Sequence, residues 1–238
     1  MRTGVNSSRS VVMLASVNAP QQAPLREARE RELVAATRAL FDERGVQEAP
    51  IEEIARAVGI ARGLVYRQFS SKEELFVATI IDYLGELAEL LEGAVREAGD
   101  DPASQLELLI EAFAGYCRRY PAFLDCSLSL MRGPADELAE EISEPVWQKL
   151  GAGMARCLGC LAQVLREGRD AGAFHVSDTD FTANALWTQG LGIMHLARIG
   201  VGVRREPAGG PALFRVRSED VARACVESAL ALVGRRTD

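Results

Sequence analysis

The chain has 238 residues, 48% of them hydrophobic and 26% charged, with a formal net charge of −7. That apolar share is enough to bury a core and excludes disorder along the whole length. The acidic balance excludes broad, nonspecific coating of nucleic acid, which scales with the number of phosphates neutralised. No apolar run approaches the roughly 20 residues that span a bilayer, so no integral membrane protein is expected. Five cysteines, an odd number, fit a reducing cytoplasm better than a secreted disulfide framework.

Residues 1–25 carry Arg2 and Arg9 and no acidic residue. Their apolar run, Val11 to Ala15, is too short for a secretory leader and is flanked by polar residues. A disordered arm is expected there. From Arg26 to Arg44, Leu33, Thr37, Leu40 and Phe41 fall on one helical stripe, and Gly45 stands where a left-handed C-cap belongs. Pro50, suited to a first helical position, opens a second helix, whose Ile51, Ile54, Ala55 and Val58 recur at i, i+3, i+4 and i+7 before Gly59 stops it. A third helix follows over Arg62 to Phe69, and Ser71-x-x-Glu74 is a capping-box pattern that starts a fourth at once, running to about Ala98.

Beyond Gly99-Asp100-Asp101-Pro102, helices are expected near 103–119, 122–131, 145–169, 178–199 and 218–234. Tyr120-Pro121, Arg132-Gly133-Pro134, Ala171-Gly172 and a Gly/Pro/Arg-rich insert at 200–217 separate them. Leu213 to Arg217 alternates like a strand, but one isolated five-residue run reads as a loop edge packed on a helix. The fold class expected is all-α. Three short helices over 26–72 share one small core, followed at 73–238 by a larger helical unit.

The second and third helices have the geometry of a helix-turn-helix. In that motif the second helix enters the major groove and its first residues reach base edges. From Ile54 to Lys72 the chain carries Arg56, Arg62, Arg67 and Lys72 and no acidic residue, a local cationic face on an acidic chain. Val65 and Phe69 are expected to anchor the reading helix on the first helix, leaving Gly63, Tyr66 and Arg67 toward the other side. Arg62 can offer two donors to guanine O6 and N7, and Gln68 can pair with adenine or a phosphate. Tyr66 and Lys72 suit phosphates, which position the protein without reading sequence. Leu64 can contact a thymine methyl or serve as a partly exposed packing residue.

The run from Leu33-Val34-Ala35-Ala36 through Phe41-x-x-Arg44-Gly45, Ile54-Ala55-x-x-Val58-Gly59-Ile60, Gly63-x-Val65-Tyr66-x-x-Phe69 and Ser71-Lys72-Glu73-x-Leu75 resembles the N-terminal domain of the TetR family of one-component transcriptional regulators. Glu167-Gly168-x-x-x-Gly172-x-Phe174, then Asp178 and Asp180, is similar to part of that family's C-terminal domain. The chain departs from the family pattern at Glu48-Ala49-Pro50, where a hydroxyl residue usually caps the second helix, and at Ala61, Leu64 and Arg67-Gln68. The operator sequence therefore does not carry over.

The resemblance implies a homodimeric repressor, released from a palindromic double-stranded DNA operator when a small molecule in the second domain moves the heads. Segments 180–199 and 219–234 resemble the two helices that pair across the family's two-fold axis, with Gly190 and Gly192 allowing close approach. Phe113, Tyr116, Trp147, Trp187 and His195 are candidates to line an apolar effector pocket. The lone Cys157-Leu158-Gly159-Cys160 lies in mid-helix, where buried packing is the first reading and thiol sensing the second. Two histidines and no phosphate loop, Ser/His/Asp order or metal-binding run point away from catalysis, a cofactor or a metal. A helical ligand-binding protein that does not bind DNA is the reading from another class.

Overall fold

The computed structural model describes residues 19–46, 49–207 and 209–234. The elements in chain order are α1 (Ala19–Arg44), α2 (Ile51–Val58), α3 (Arg62–Gln68), α4 (Lys72–Ala98), α5 (Pro102–Arg119), α6 (Pro121–Leu130), α7 (Ala135–Glu141), α8 (Glu144–Asp170), α9 (Thr179–Ile199), β1 (Val201–Arg205), β2 (Pro211–Arg215) and α10 (Ser218–Leu232).

Apolar periodicity places the head. Leu33, Leu40 and Phe41 on α1, Ile51, Ile54 and Ala55 on α2 and Val65 on α3 are buried together. Gly45 and Gly59 both take positive φ, so each helix ends where the sequence put its stop. Two boundaries differ from the sequence reading. α1 begins at Ala19 and runs through Pro24, seven residues before the expected start, because helical backbone continues where no apolar period marks it. Residues 1–18 of the expected arm lie outside the described residues. Pro50 is the N-cap of α2 rather than its first helical residue, and no side chain caps that end. Glu52 and Glu53 in the first turn supply negative charge to the positive end of the helix instead.

α4 spans about 40 Å at 1.5 Å per residue and belongs to both parts of the molecule. It packs on α1 in the head and on α5, α6 and α8 in the body. Tyr83, Leu84, Leu87 and Leu91 are buried along it. α9 packs on α8, and α10 closes the body against α5 and α9. Gly168 is a place where only glycine fits: a Cβ there would lie 2.0 Å from the buried Phe174 ring. Ala173 N–H and Phe174 N–H both donate to Gly168 O, at 2.8 and 3.1 Å, and fold the end of α8 back toward α9.

Two elements escaped the sequence reading. α7 is a seven-residue helix in a stretch expected to be irregular. The insert at 200–217 is not a loop edge but an antiparallel hairpin, with Val201 opposite Arg215, Val203 opposite Leu213 and Arg205 opposite Pro211. Gly209 N–H to Glu206 O (2.9 Å) and Glu206 N–H to Gly210 O (2.9 Å) close its turn. Among the described residues, no helix is long and apolar enough to cross a membrane.

Candidate nucleic-acid interface

The turn between α2 and α3 is built by Gly59 at φ 72°, with Gly59 N–H donating to Arg56 O (3.1 Å) and Ile60 N–H to Ala55 O (2.9 Å). It aims α3 so that Val65 (1% exposed) and Phe69 (2%) plug the head core. Arg62, Gly63, Leu64, Tyr66 and Arg67 are left exposed on the outer face. These five expected site residues share one surface, and Lys72 is exposed at the start of α4. Ala61, the α3 N-cap, makes no side-chain cap, and in the first turn Leu64 N–H donates to the Ala61 carbonyl (2.8 Å).

Two features of this face were not legible in the sequence. Arg62 Nη1 lies 2.5 Å from Glu52 Oε1 on α2, and its Nη2 is 3.4 Å from the Tyr66 hydroxyl. The guanidinium carbon sits 5.4 Å from the centre of the Tyr66 ring. Glu52 precedes the acid-free window in sequence and returns to it one turn back on α2. Gln68 does not join the reading face: its Nε2 donates to Arg26 O (3.2 Å) and reaches Glu30 Oε2 (3.4 Å), so it fastens α3 to α1. Glu48, expected near the same surface, lies outside the described residues.

Two side-chain clusters tie the head to the body, beside the Lys149–Glu30 pair (3.3 Å) between α8 and α1. Ser71 accepts from Glu74 N–H at 2.9 Å, as a capping residue should. The reciprocal half is displaced by one residue, because the Glu74 carboxylate accepts from Ser70 N–H (2.7 Å) and the Ser70 hydroxyl rather than from Ser71. Its other oxygen accepts from the Ser143 hydroxyl at 2.5 Å, at the N-cap of α8. Burial alone would raise the Glu74 pKa, but the bonds from Ser143 and Ser70 outweigh it and hold this carboxyl below its usual range. The second tie is Arg38 of α1. Its guanidinium pairs with Asp82 (2.7 Å) and Glu86 of α4 and lies over the rings of Tyr83 (4.3 Å) and Tyr120 (4.9 Å).

Of the five residues expected to line an effector pocket, the structure brings two together. Phe113 and Trp187 pack at 5.4 Å between ring centres beside an apolar crevice of about 20 Å³ bounded by Leu91, Leu109, Leu161 and Leu186. That is room for about one water. Tyr116 is buried, but its hydroxyl donates to Tyr83 O (2.9 Å) at the head–body seam. Trp147 is half-buried against the core away from the crevice, and His195 is exposed on the outside of α9. Gly190 also faces inward: a Cβ there would be 3.0 Å from the Phe113 ring. Gly192 alone of the two glycines opens outward, with free space where its Cβ would be.

The thiol pair is not arranged for sensing. Cys157 is 1% exposed and its Sγ–H points at Leu84 O (3.5 Å). Burial pushes its pKa up to about 12 and raises that of Cys160 as well, the reverse of a reactive thiolate. Among the described residues, no group of three His, Cys, Asp or Glu side chains is placed to hold a metal ion.

The pattern of the bacterial regulatory proteins of the tetR family matches residues 33–79, the segment that forms the C-terminal part of α1, α2, α3 and the start of α4. The head thus carries the DNA-binding pattern of the TetR family. The HTH-type transcriptional regulator BetI of Stenotrophomonas maltophilia is 34% identical over 83 residues, 35% of this chain and 42% of BetI. The HTH-type transcriptional activator FasR of Mycolicibacterium smegmatis is 32% identical over 88 residues, 37% of this chain and 40% of FasR. The chain thus matches about two fifths of the length of these curated relatives. Likeness to the TetR-family regulator PfmR of Thermus thermophilus extends into the body, with 25% identity and a TM-score of 0.57 over 84% of this chain and 97% of PfmR.

Because the folded-state pKa of Glu74 is depressed, its contribution to stability is present above the unfolded value of about 4.3. It is lost as the pH falls through the lower folded value. Glu74→Gln should therefore lower stability at neutral pH and flatten the acid-side loss, as measured by denaturant midpoints across the acid range. Identical pH profiles for both proteins would show that the Ser70–Glu74–Ser143 clamp carries no charge-dependent stability.

Proposed function

We propose that the protein is a homodimeric DNA-binding transcriptional regulator that reads a two-fold symmetric operator through α3. In this reading it represses in the cytoplasm until a small apolar ligand enters the body. The observation that carries the reading is the exposed Arg62–Tyr66–Arg67 face of α3, backed by the buried pair Val65 and Phe69, inside the family-matched domain.

Arg62 is the base reader. It sits in the first turn of α3, where a recognition helix meets base edges, and its fork suits guanine. Glu52 and Tyr66 hold it extended in the free protein and exchange it for the duplex on binding. Tyr66, Arg67 and Lys72 take phosphates at the groove rim. Leu64, 38% exposed, meets the groove floor as an apolar contact. Gly63 leaves the backbone open there, with nothing within 4 Å of where a Cβ would stand.

One α3 reads too few bases, and two related by a two-fold axis read half-sites about 34 Å apart. The outer stripe of α9 supports such a pairing. Phe181 (72% exposed), Leu196 (40%) and Ile199 (53%) lie with Gly192 along one side of the helix, and Leu232 of α10 (48%) is exposed too. These positions are costly in water and ordinary in an interface core.

The crevice between Phe113 and Trp187 is the ligand site of this reading. It touches α4, α5, α8 and α9 at once and is too small in this state for anything beyond a water. A ligand that opens it favours a different spacing of those helices, and that differential affinity is what weakens operator binding.

Selection of duplexes from a random pool by the full chain tests the reading. Binding should be salt-dependent and should enrich a two-fold symmetric site. On that site Arg62→Ala should weaken binding roughly 5- to 150-fold and relax the preference at one base pair per half-site. Lys72→Ala should weaken binding to all sequences alike. No salt-dependent association with any duplex contradicts the function, and equal loss on every sequence for both variants contradicts the division of labour.

For the effector, small apolar compounds that raise the melting temperature should also weaken operator binding, by about 5- to 150-fold. Stabilising compounds that leave operator affinity untouched would remove the crevice from the mechanism.

A further inference from the structure

Among the described residues, the hairpin between α9 and α10 packs mainly on α9, at its base. A two-stranded hairpin alone is at best marginally stable in water. Residues directly opposite each other share a face, so Val201, Val203, Leu213, Arg205 and Arg215 lie on one side. Val203 and Leu213, paired at the middle of that side, are each 70% exposed. Phe214 lies across Gly202 on the opposite side. The free side is therefore an apolar centre with an arginine toward each end. None of Arg204, Arg205 and Arg215 has an ion-pair partner among the described residues.

The complementary surface is on the same molecule. A cleft of about 670 Å³ runs between α5 and α10, with Val226 and Leu230 on its floor and Glu107, Glu111 and Glu227 along its walls. None of these three carboxylates is ion-paired among the described residues. Arg118 and Arg223 stand at the other end of the cleft, and Arg223 is already paired with Asp220 at 2.5 Å. The lengths agree. The stretch of α10 from Glu219 to Leu230 covers about 16 Å, and a five-residue strand covers about 17 Å.

The hairpin cannot reach this cleft on its own chain. Gly200 N–H to Leu196 O (3.0 Å) and Val216 N–H to Gly200 O (3.0 Å) pin its base, and only Val216 and Arg217 separate β2 from α10. Folding back would have to break the second of these bonds and reverse the chain within two residues. A two-fold axis beside α9 and α10 instead carries each hairpin to the other protomer, and makes the contact twice.

We infer that the hairpin is an exchanged arm: its Val203–Leu213 face and arginines dock into the partner subunit's α5–α10 cleft, apolar centre on apolar floor and guanidinium on carboxylate. The inference rests on the dimer proposed above and adds the clasp that holds it. Duplex phosphate is the weaker match for this face, because it satisfies the arginines and leaves Val203 and Leu213 in water.

Two charge-reversed proteins test it. One carries Arg205→Glu and Arg215→Glu on the docking side of the hairpin. The other carries Glu107→Arg, Glu111→Arg and Glu227→Arg in the cleft. Far-UV circular dichroism confirms folding, and sedimentation equilibrium at low salt gives the dimer dissociation constant. Each variant alone should raise that constant at least about tenfold, since both clasps then join like charges. An equimolar mixture should restore wild-type affinity, because in the mixed dimer both clasps join opposite charges.

Dimerisation of either variant at wild-type strength overturns the inference, as does a mixture without rescue. So does a hairpin variant that loses duplex affinity with its dimer constant unchanged, which would give the arm to DNA. A wild-type chain that is monomeric at every concentration overturns the dimer reading itself, and the arm with it.

Discussion

The position of the reading head depends on Arg38, the α1 side chain that crosses from the head core to the body. Its guanidinium is only 17% exposed and meets Asp82 and Glu86 of α4, with Asp42 at 3.9 Å on its own helix. Tyr83 and Tyr120 cover its two sides, and their hydroxyls donate onward to Asp42 (2.6 Å) and Glu86 (2.9 Å). Burial works against the charge here, while the bonds to Asp82 and Glu86 more than restore it and raise the Arg38 pKa. A cation held by two carboxylates and two aromatic faces is a directional joint, unlike apolar packing, which tolerates sliding. Losing the cation would leave two carboxylates facing each other at the seam.

Everything proposed for function passes through that joint and through α4. The Glu74 clamp fixes the first turn of α4 to the start of α8, Arg38 fixes its third and fourth turns to α1, and the Phe113–Trp187 crevice touches its far part at Leu91. In the proposed function, a ligand that spreads α5 and α9 from α4 meets a helix tied to the head by Arg38 and to α8 by Glu74. The arm at the α9–α10 corner completes the arrangement, since Arg198 beside its base reaches Asp125 on α6 (3.5 Å) and α6 packs on α1.

The sequence made the helices and the head legible because both rest on local signals. Apolar period, Gly59 at its left-handed turn and Ser71 as a cap each act within a few residues, and all are found where they were expected. What escaped depended on which way a side chain faces once the helices pack. Gln68 looked like a base reader and is a strap to α1. Gly190 looked like a dimer-face glycine and makes room for Phe113, while Gly192, two residues on, does face out. Tyr116 and His195 carried the right chemistry for a pocket, but one is spent on a backbone carbonyl and the other lies on the surface. Glu52 lay just outside the cationic window in sequence and comes back against Arg62 because α2 and α3 meet at an angle. The hairpin was hidden because each of its strands is five residues long, and only their pairing distinguishes a strand from a loop edge.

The most direct test of this account is the operator affinity of Arg38→Met, a change that touches neither the reading face nor the crevice. Measured on a duplex selected by the wild-type protein, with dimerisation and body melting checked in parallel, the variant should stay dimeric and helical yet bind more weakly, because its heads are no longer held at operator spacing. Wild-type affinity in a folded, dimeric Arg38→Met protein would contradict the claim that this joint sets the position of the head.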